Sequence, residues 1–139
     1  MTNGSGGSVR VLDSWAIIAL MQDEPAAERV EEVLNESAVG KAPLLMSWYN
    51  VGEAFYILAE RKNRAVAEEF VTRLPSLPIR IILPDEDAVI AAARIKASHP
   101  LAFGDAFVIG LALANDASVI TGDNEIRKCG LAAVDWIGD

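Results

Sequence analysis

The sequence predicts an α/β fold, a parallel sheet of about five strands covered by helices on both faces. Three observations predict it. Short apolar runs alternate with longer helical patterns along the whole chain, the order expected of strand–helix–strand units. The apolar runs lack a clean polar–apolar alternation, as expected for strands buried on both faces. The chain has 139 residues, 52% hydrophobic and 23% charged, enough for one domain with a real core.

The elements follow in order. Residues 1–8, "MTNGSGGS", read as a flexible leader, and a single domain is expected over 9–139. "VRVLD" (9–13) is a short β-branched run, readable as a buried strand. "SWAIIALMQDEP" (14–25) is apolar and helical until Pro25. In the segment 26–37, Ala27, Val30, Val33 and Leu34 recur at helical spacing with glutamates between them, an amphipathic helix with an acidic outer face.

"PLLMS" (43–47) is the second strand, and Trp48, Val51, Phe55 and Leu58 mark a helix over 48–61. A further helix over about 63–74 stops at "LPSLP". "IRIIL" (79–83) is the third strand, closed by Pro84. "DEDAVIAAARIKASH" (85–99) opens with acids and ends with Lys96 and His99, the charge order that suits a helix dipole. "FGDAFVIGLALA" (103–114) begins an almost wholly apolar helix over about 103–115 with one charge, Asp105. "ASVIT" (117–121) is the fourth strand, "DNEIRKC" a short helix, and "AAVDWI" (132–137) the fifth strand.

Composition excludes several functions. A formal net charge of −8 argues against holding nucleic acid by bulk electrostatics, which Lys and Arg normally supply. It leaves room for a local basic groove or a bound cation that reverses the local sign. The single cysteine, Cys129, excludes an internal disulfide and a cysteine zinc cluster, and fits a reducing, cytoplasmic setting. No apolar run reaches the length of a membrane span.

Ligands of an open parallel sheet bind outside the carboxyl ends of its strands. Asp13, with Ser14 beside it, ends the first strand, and Thr121 and Asp123 end the fourth. Glu53 and Asp105 lie near the starts of two helices that can point into the same crevice. Each acid has a plainer reading. Asp13 suits a helix cap, Asp123 a turn, Glu53 an exposed helix position and Asp105 a first-turn acid. Together they form four hard oxygen donors, which suit Mg²⁺ or Mn²⁺.

"VLDSWAIIAL", "NVGEAFYIL", "FGDAFVIGLALA" and "VITGD" occur in the order and approximate spacing of PIN-domain ribonucleases. From about Val9 to Ile137 the chain resembles the short VapC-type toxins of prokaryotic toxin–antitoxin pairs. The resemblance implies a three-layer α/β/α sandwich and an acidic metal site. Asp13, Glu53, Asp105 and Asp123 look like the family's acidic quartet, with Asp13, Asp105 and Asp123 holding Mg²⁺ or Mn²⁺ directly or through water. Ser14 and Thr121 resemble its neighbouring hydroxyl positions. The resemblance further implies RNA as substrate, a homodimer, and a cognate antitoxin whose segment occupies the acidic pocket. Two residues depart from the pattern: Trp15 stands where a small residue is usual, and Gly104 where Ala is common before the Asp.

The expected activity is metal-dependent hydrolysis of an RNA phosphodiester, the ion making a bound water more acidic and stabilising charge on the phosphate. One histidine, His99, excludes paired-histidine chemistry and reads as a helix-end residue. Local RNA contacts are expected from Arg127 and Lys128, just after Asp123. The denser cluster Arg61, Lys62 and Arg64 is a second candidate for RNA contacts, although it reads first as a solvated helix terminus. Trp15, Trp48 and Trp136 suit either base stacking or core filling. Two rivals remain: a PIN-like module that binds RNA or protein without cutting, and a phosphoacceptor receiver domain, which lacks its adjacent acid pair and late lysine here.

Overall fold

The structure, a computed structural model, describes residues 9–138, so the leader expected at 1–8 lies outside the described residues. Five strands form one sheet: β1 (Arg10–Leu12), β2 (Leu44–Ser47), β3 (Arg80–Ile82), β4 (Ser118–Thr121) and β5 (Val134–Trp136). Every neighbouring pair is parallel, in the order β3-β2-β1-β4-β5. This differs from the 2-1-3-4-5 order of flavodoxin-like folds, and it places the reversal of strand order between β1 and β4, where ligands of such sheets bind.

The central strands β1, β2 and β4 are buried almost throughout, whereas the edge strands β3 and β5 are only half-buried, and three or four residues suffice for each to cross the core. Leu12, Leu44, Met46 and Ile120 turn to one face, and Val11, Leu45 and Val119 to the other. The first face is covered by α1 (Ser14–Met21), α2 (Ala27–Ala38), α3 (Trp48–Arg61) and α4 (Arg64–Arg73). The second is covered by α6 (Phe103–Ala114) and α7 (Asn124–Cys129), with α5 (Glu86–Ser98) packed on α6 through Ala92 and Ile95. The chain is therefore the expected α/β/α sandwich. No single helix among the described residues is long and apolar enough to cross a membrane.

Helix starts follow local chemistry. Asp13, Ser47, Asn63, Asp85 and Asp123 each cap a helix by accepting a backbone N–H through the side chain, the usual role of these residue types. His99 ends α5, its Nδ1 3.1 Å from the Ile95 carbonyl oxygen, as expected of a helix-end residue. Near the start of β1, the buried Arg10 pairs with Glu36 of α2 at 2.9 Å and Asp135 of β5 at 3.6 Å. Arg29 reaches the same Asp135 at 3.2 Å. The hydrogen bond from Arg10 leads the effects that hold the Glu36 carboxyl below its ordinary range.

Gly122, between Thr121 and Asp123, is required by a close approach. A Cβ there would come within 2.5 Å of Trp15 Cζ2. The half-buried Trp15 thus packs against the turn that presents Asp123. Gly122→Ala should destabilise the protein by about 1–3 kcal/mol, as overpacking does. Urea unfolding at pH 7 measures this, and an unchanged midpoint would show that the Trp15 ring moves aside freely.

Candidate functional site

The site is assembled where β1 and β4 end side by side. Asp13 is 3% exposed. Its Oδ1 accepts from the Ala16 N–H at 2.9 Å, and its Oδ2 accepts from the Thr121 hydroxyl. Thr121 Oγ1 in turn accepts from the Asp123 N–H at 2.9 Å, and Asp123 Oδ1 accepts from the Glu125 N–H at 2.8 Å. One threonine hydroxyl therefore ties together two acids that follow separate strands.

Glu53 enters from α3. Its Oε1 accepts from the Ser14 hydroxyl at 2.6 Å and from Asn50 Nδ2 at 3.3 Å. Asp105 comes from the first turn of α6. That helix is anchored by the buried Ala106, Val108, Ile109 and Ala112, so the acid stands on a rigid mount. Glu53, Asp105 and Asp123 line one pocket of about 200 Å³ with Ser14 and Trp15, and Arg61 stands on its wall. The buried Asp13 is not part of that lining.

The acids crowd one another. Burial pushes the Asp13 carboxyl up to about 7 against its hydrogen bonds, helped by the charges of Asp123 and Glu53. Asp105 is also pushed up to about 7, first by burial, then by the charge of Asp123 and a hydrogen bond with it, then by Glu53 and Asp13. Carboxylates drawn together this way need protons or a cation. Among the described residues Arg61 makes no ion pair, so the pocket's own cation leaves the acids unneutralised. The donor chemistry thus fits a hard divalent ion. No three His, Cys, Asp or Glu side chains among the described residues form a ready-made cage. Mg²⁺ does not require one, since it keeps several waters and takes only one or two carboxylates directly.

The structure thus brings together Asp13, Ser14, Glu53, Asp105, Thr121 and Asp123, the six residues that sequence reasoning placed at the site. Arg127 and Lys128 do not line the pocket. The Arg127 guanidinium lies 3.7 Å from the centroid of the Trp136 ring and donates to Asn124 Oδ1. Two further polar residues, Arg61 and Asn50, stand at the site outside that set of six. Arg61, whose cluster with Lys62 and Arg64 suits either RNA contacts or a solvated helix terminus, reaches the pocket because Glu53, Ile57 and Arg61 are spaced by four and share a helix face. Asn50, 1% exposed, is a lone amide in an apolar stretch, three residues from Glu53, and that was its signal. A larger groove of about 420 Å³ between the end of β3, α5 and α6 is mostly apolar and holds none of these acids.

The PIN-domain family model matches residues 10–130. The chain belongs to the PIN-domain family. A comparison with curated protein sequences gives no match. Solved structures share the fold. Mycobacterium tuberculosis VapC20, described as a sarcin-ricin loop cleaving toxin, superposes with a TM-score of 0.73 at 15% identity, over 87% of this chain and 95% of that one. The DNA-bound VapBC of Salmonella typhimurium gives 0.73 at 18% identity, over 92% and 97%. VapBC-1 of nontypeable Haemophilus influenzae gives 0.65 at 21%, over 93% and 98%. This PIN domain therefore has a VapC-like fold.

The raised carboxyls set a pH dependence for the metal-free PIN domain. Asp13 and Asp105 move from an ordinary 3.8 to about 7 in the folded state, so the folded protein binds more protons than the unfolded chain between those values. Stability is then greatest below about pH 4 on this account and falls as pH rises through 7, by a few kcal/mol. Thermal unfolding in EDTA should show a lower midpoint at pH 8 than at pH 5.5, and Asp105→Asn should flatten that fall. A midpoint indifferent to pH would mean that the acids are not crowded.

Proposed function

We propose that this PIN-domain protein is a metal-dependent endoribonuclease toxin that hydrolyses RNA phosphodiester bonds and is restrained by a cognate antitoxin. One observation carries the reading: four carboxylates meet at the β1–β4 switch point, two of them pushed to about 7 by burial and by their neighbours. Such perturbation in a cleft marks a working site. The description of VapC20 as a cleaving toxin and the toxin–antitoxin complexes among the fold's neighbours support the biological class.

Asp13, Asp105 and Asp123 would hold Mg²⁺ or Mn²⁺, with Glu53 completing the acidic ring. A bound ion supplies a more acidic water and charge stabilisation on the phosphate. The chain's own groups do the rest. Thr121 fixes Asp13 Oδ2 and the Asp123 backbone, and Ser14 fixes Glu53. Arg61, exposed on the pocket wall, offers a guanidinium fork to a backbone phosphate. The exposed Arg127 and Lys128, just beyond Asp123, would extend a path for the strand past it.

The antitoxin is a segment that places a cation, best an arginine, among the carboxylates. A second copy of the chain would cover the aromatic side of α3. Tyr49 and Tyr56, seven residues apart on one helix face, are 42% and 64% exposed beside the exposed Trp48 and Phe103, and solvent-facing aromatics of this kind mark interfaces. The single thiol, Cys129, suits a cytoplasmic setting.

Purified protein with Mn²⁺ should cut a total RNA pool, and Asp105→Asn should lower the rate about 100-fold or more while folding normally. Chelator should abolish cleavage and added Mn²⁺ restore it. Equal cutting by the variant would assign the activity to a contaminant, and a protein that binds RNA without cutting would be the non-catalytic module. For assembly, light scattering behind size exclusion should report a dimer that Tyr56→Glu converts to monomer. A monomeric wild type removes the proposed interface.

A further inference from the structure

Glu53 reaches the acid site through a space that most residues at position 104 would fill. A Cβ built on Gly104 would lie 2.6 Å from both Cδ and Oε1 of Glu53, well inside ordinary contact distance. Gly104 is buried in the first turn of α6, immediately before Asp105. Its φ is not in the left-handed region, so backbone conformation does not demand glycine here. In that helical setting Ala is the better helix former. The glycine therefore serves the carboxylate that occupies its missing side chain.

Asn50 completes the arrangement. Its Nδ2 donates to the Gly104 carbonyl oxygen at 3.0 Å and to Glu53 Oε1 at 3.3 Å. The amide thus spans α3 and α6 and grips Glu53 where the helices meet. Both groups facing Nδ2 are acceptors, so the amide has one sensible orientation. That orientation leaves the buried Oδ1 without a partner among the described residues. A buried orphan acceptor carries a desolvation cost, so Asn50 is not there for packing alone.

We propose that Gly104 and Asn50 are positioning residues for Glu53, Gly104 by leaving the volume its carboxylate occupies and Asn50 by clamping that carboxylate to α6. The proposal deepens the reading of the four acids as an ion site and rests on it for its link to function. In this structure an Ala at position 104 would displace the Glu53 carboxylate from the place it occupies.

The test is a double-mutant cycle between Gly104→Ala and Glu53→Ala with two readouts. In calorimetric titration with Mn²⁺ alone, Gly104→Ala should weaken binding about tenfold or more, the usual effect of losing a group that orients a ligand. In the Glu53→Ala background the same change should alter affinity by less than about twofold. In EDTA, Gly104→Ala should lower the unfolding midpoint of the wild type and leave that of Glu53→Ala unchanged or higher. Equal effects in both backgrounds, by either readout, overturn the proposal. A wild type that binds no Mn²⁺ overturns the ion-site reading, while the EDTA cycle still decides whether Gly104 makes room for Glu53. Should Gly104→Ala fail to fold, Asn50→Ala runs through the same cycle, with the same non-additivity expected and additivity overturning it.

Discussion

The hydroxyl of Thr121 is the joint on which the site depends. It donates to Asp13 Oδ2 and accepts from the Asp123 N–H, joining residues 108 positions apart. Parallel pairing of β1 with β4 brings those strand ends side by side, and Thr121 then fixes their relative geometry. Both acids also cap helices, Asp13 for α1 and Asp123 for α7. The atoms that start two helices therefore also build the site, so a substitution at either position disturbs local structure and site chemistry at once. Asp105 has no cap hydrogen bond and Glu53 sits inside a helix. Substitutions at these two separate chemistry from folding more cleanly.

Much of this was legible because apolar runs and turn residues are local signals. Among the described residues five strands and seven α-helices form where those signals lie, with ends within a residue or two of the expected ones except α1, which stops at Met21 rather than continuing to Pro25. Asp13 and Asp123 had two readings each, as cap or turn residue and as ligand. The geometry shows the readings were not exclusive, since a carboxylate that accepts a backbone N–H keeps further lone pairs. Strand order was not legible, because nothing in a short buried strand names its partner. The order of β3, β2, β1, β4 and β5 comes from long-range packing. The stretch "SWYNVGEAFYIL" is divided between core and surface. Val51, Ala54 and Leu58 are buried, while Trp48, Tyr49 and Tyr56 face outward.

The basic residues show why nearness in sequence misleads. Arg127 follows Asp123 by four residues, yet α7 lays its guanidinium on Trp136. Arg61 follows Glu53 by eight, and two helical turns bring it to the same pocket. Trp15 has a local explanation too. Its ring covers Gly122 and supports the turn carrying Asp123, so a large residue is accommodated because the facing position has no side chain. The same device recurs at Gly104, where the facing group is a carboxylate. Both glycines border ligand candidates, and each makes room for a bulky neighbour on another element.

Two groups of acids in the fold are treated in opposite ways. Near the start of β1, Arg10 and Arg29 gather around Glu36 and Asp135, and the Glu36 carboxyl is held below its ordinary range. Beyond the end of β1, Asp13, Glu53, Asp105 and Asp123 have only Arg61 on the pocket wall, outside ion-pair distance, and Asp13 and Asp105 are pushed up to about 7. The chain is evidently capable of neutralising acids with its own arginines. At the carboxyl end of the sheet it instead gathers hard oxygen donors on rigid elements and leaves them uncompensated. A structural cluster gains nothing from that crowding, because each unneutralised charge costs stability. A site that must take a cation from outside requires it. The contrast between the two ends of one strand is therefore stronger support for a cation site than the number of acids alone.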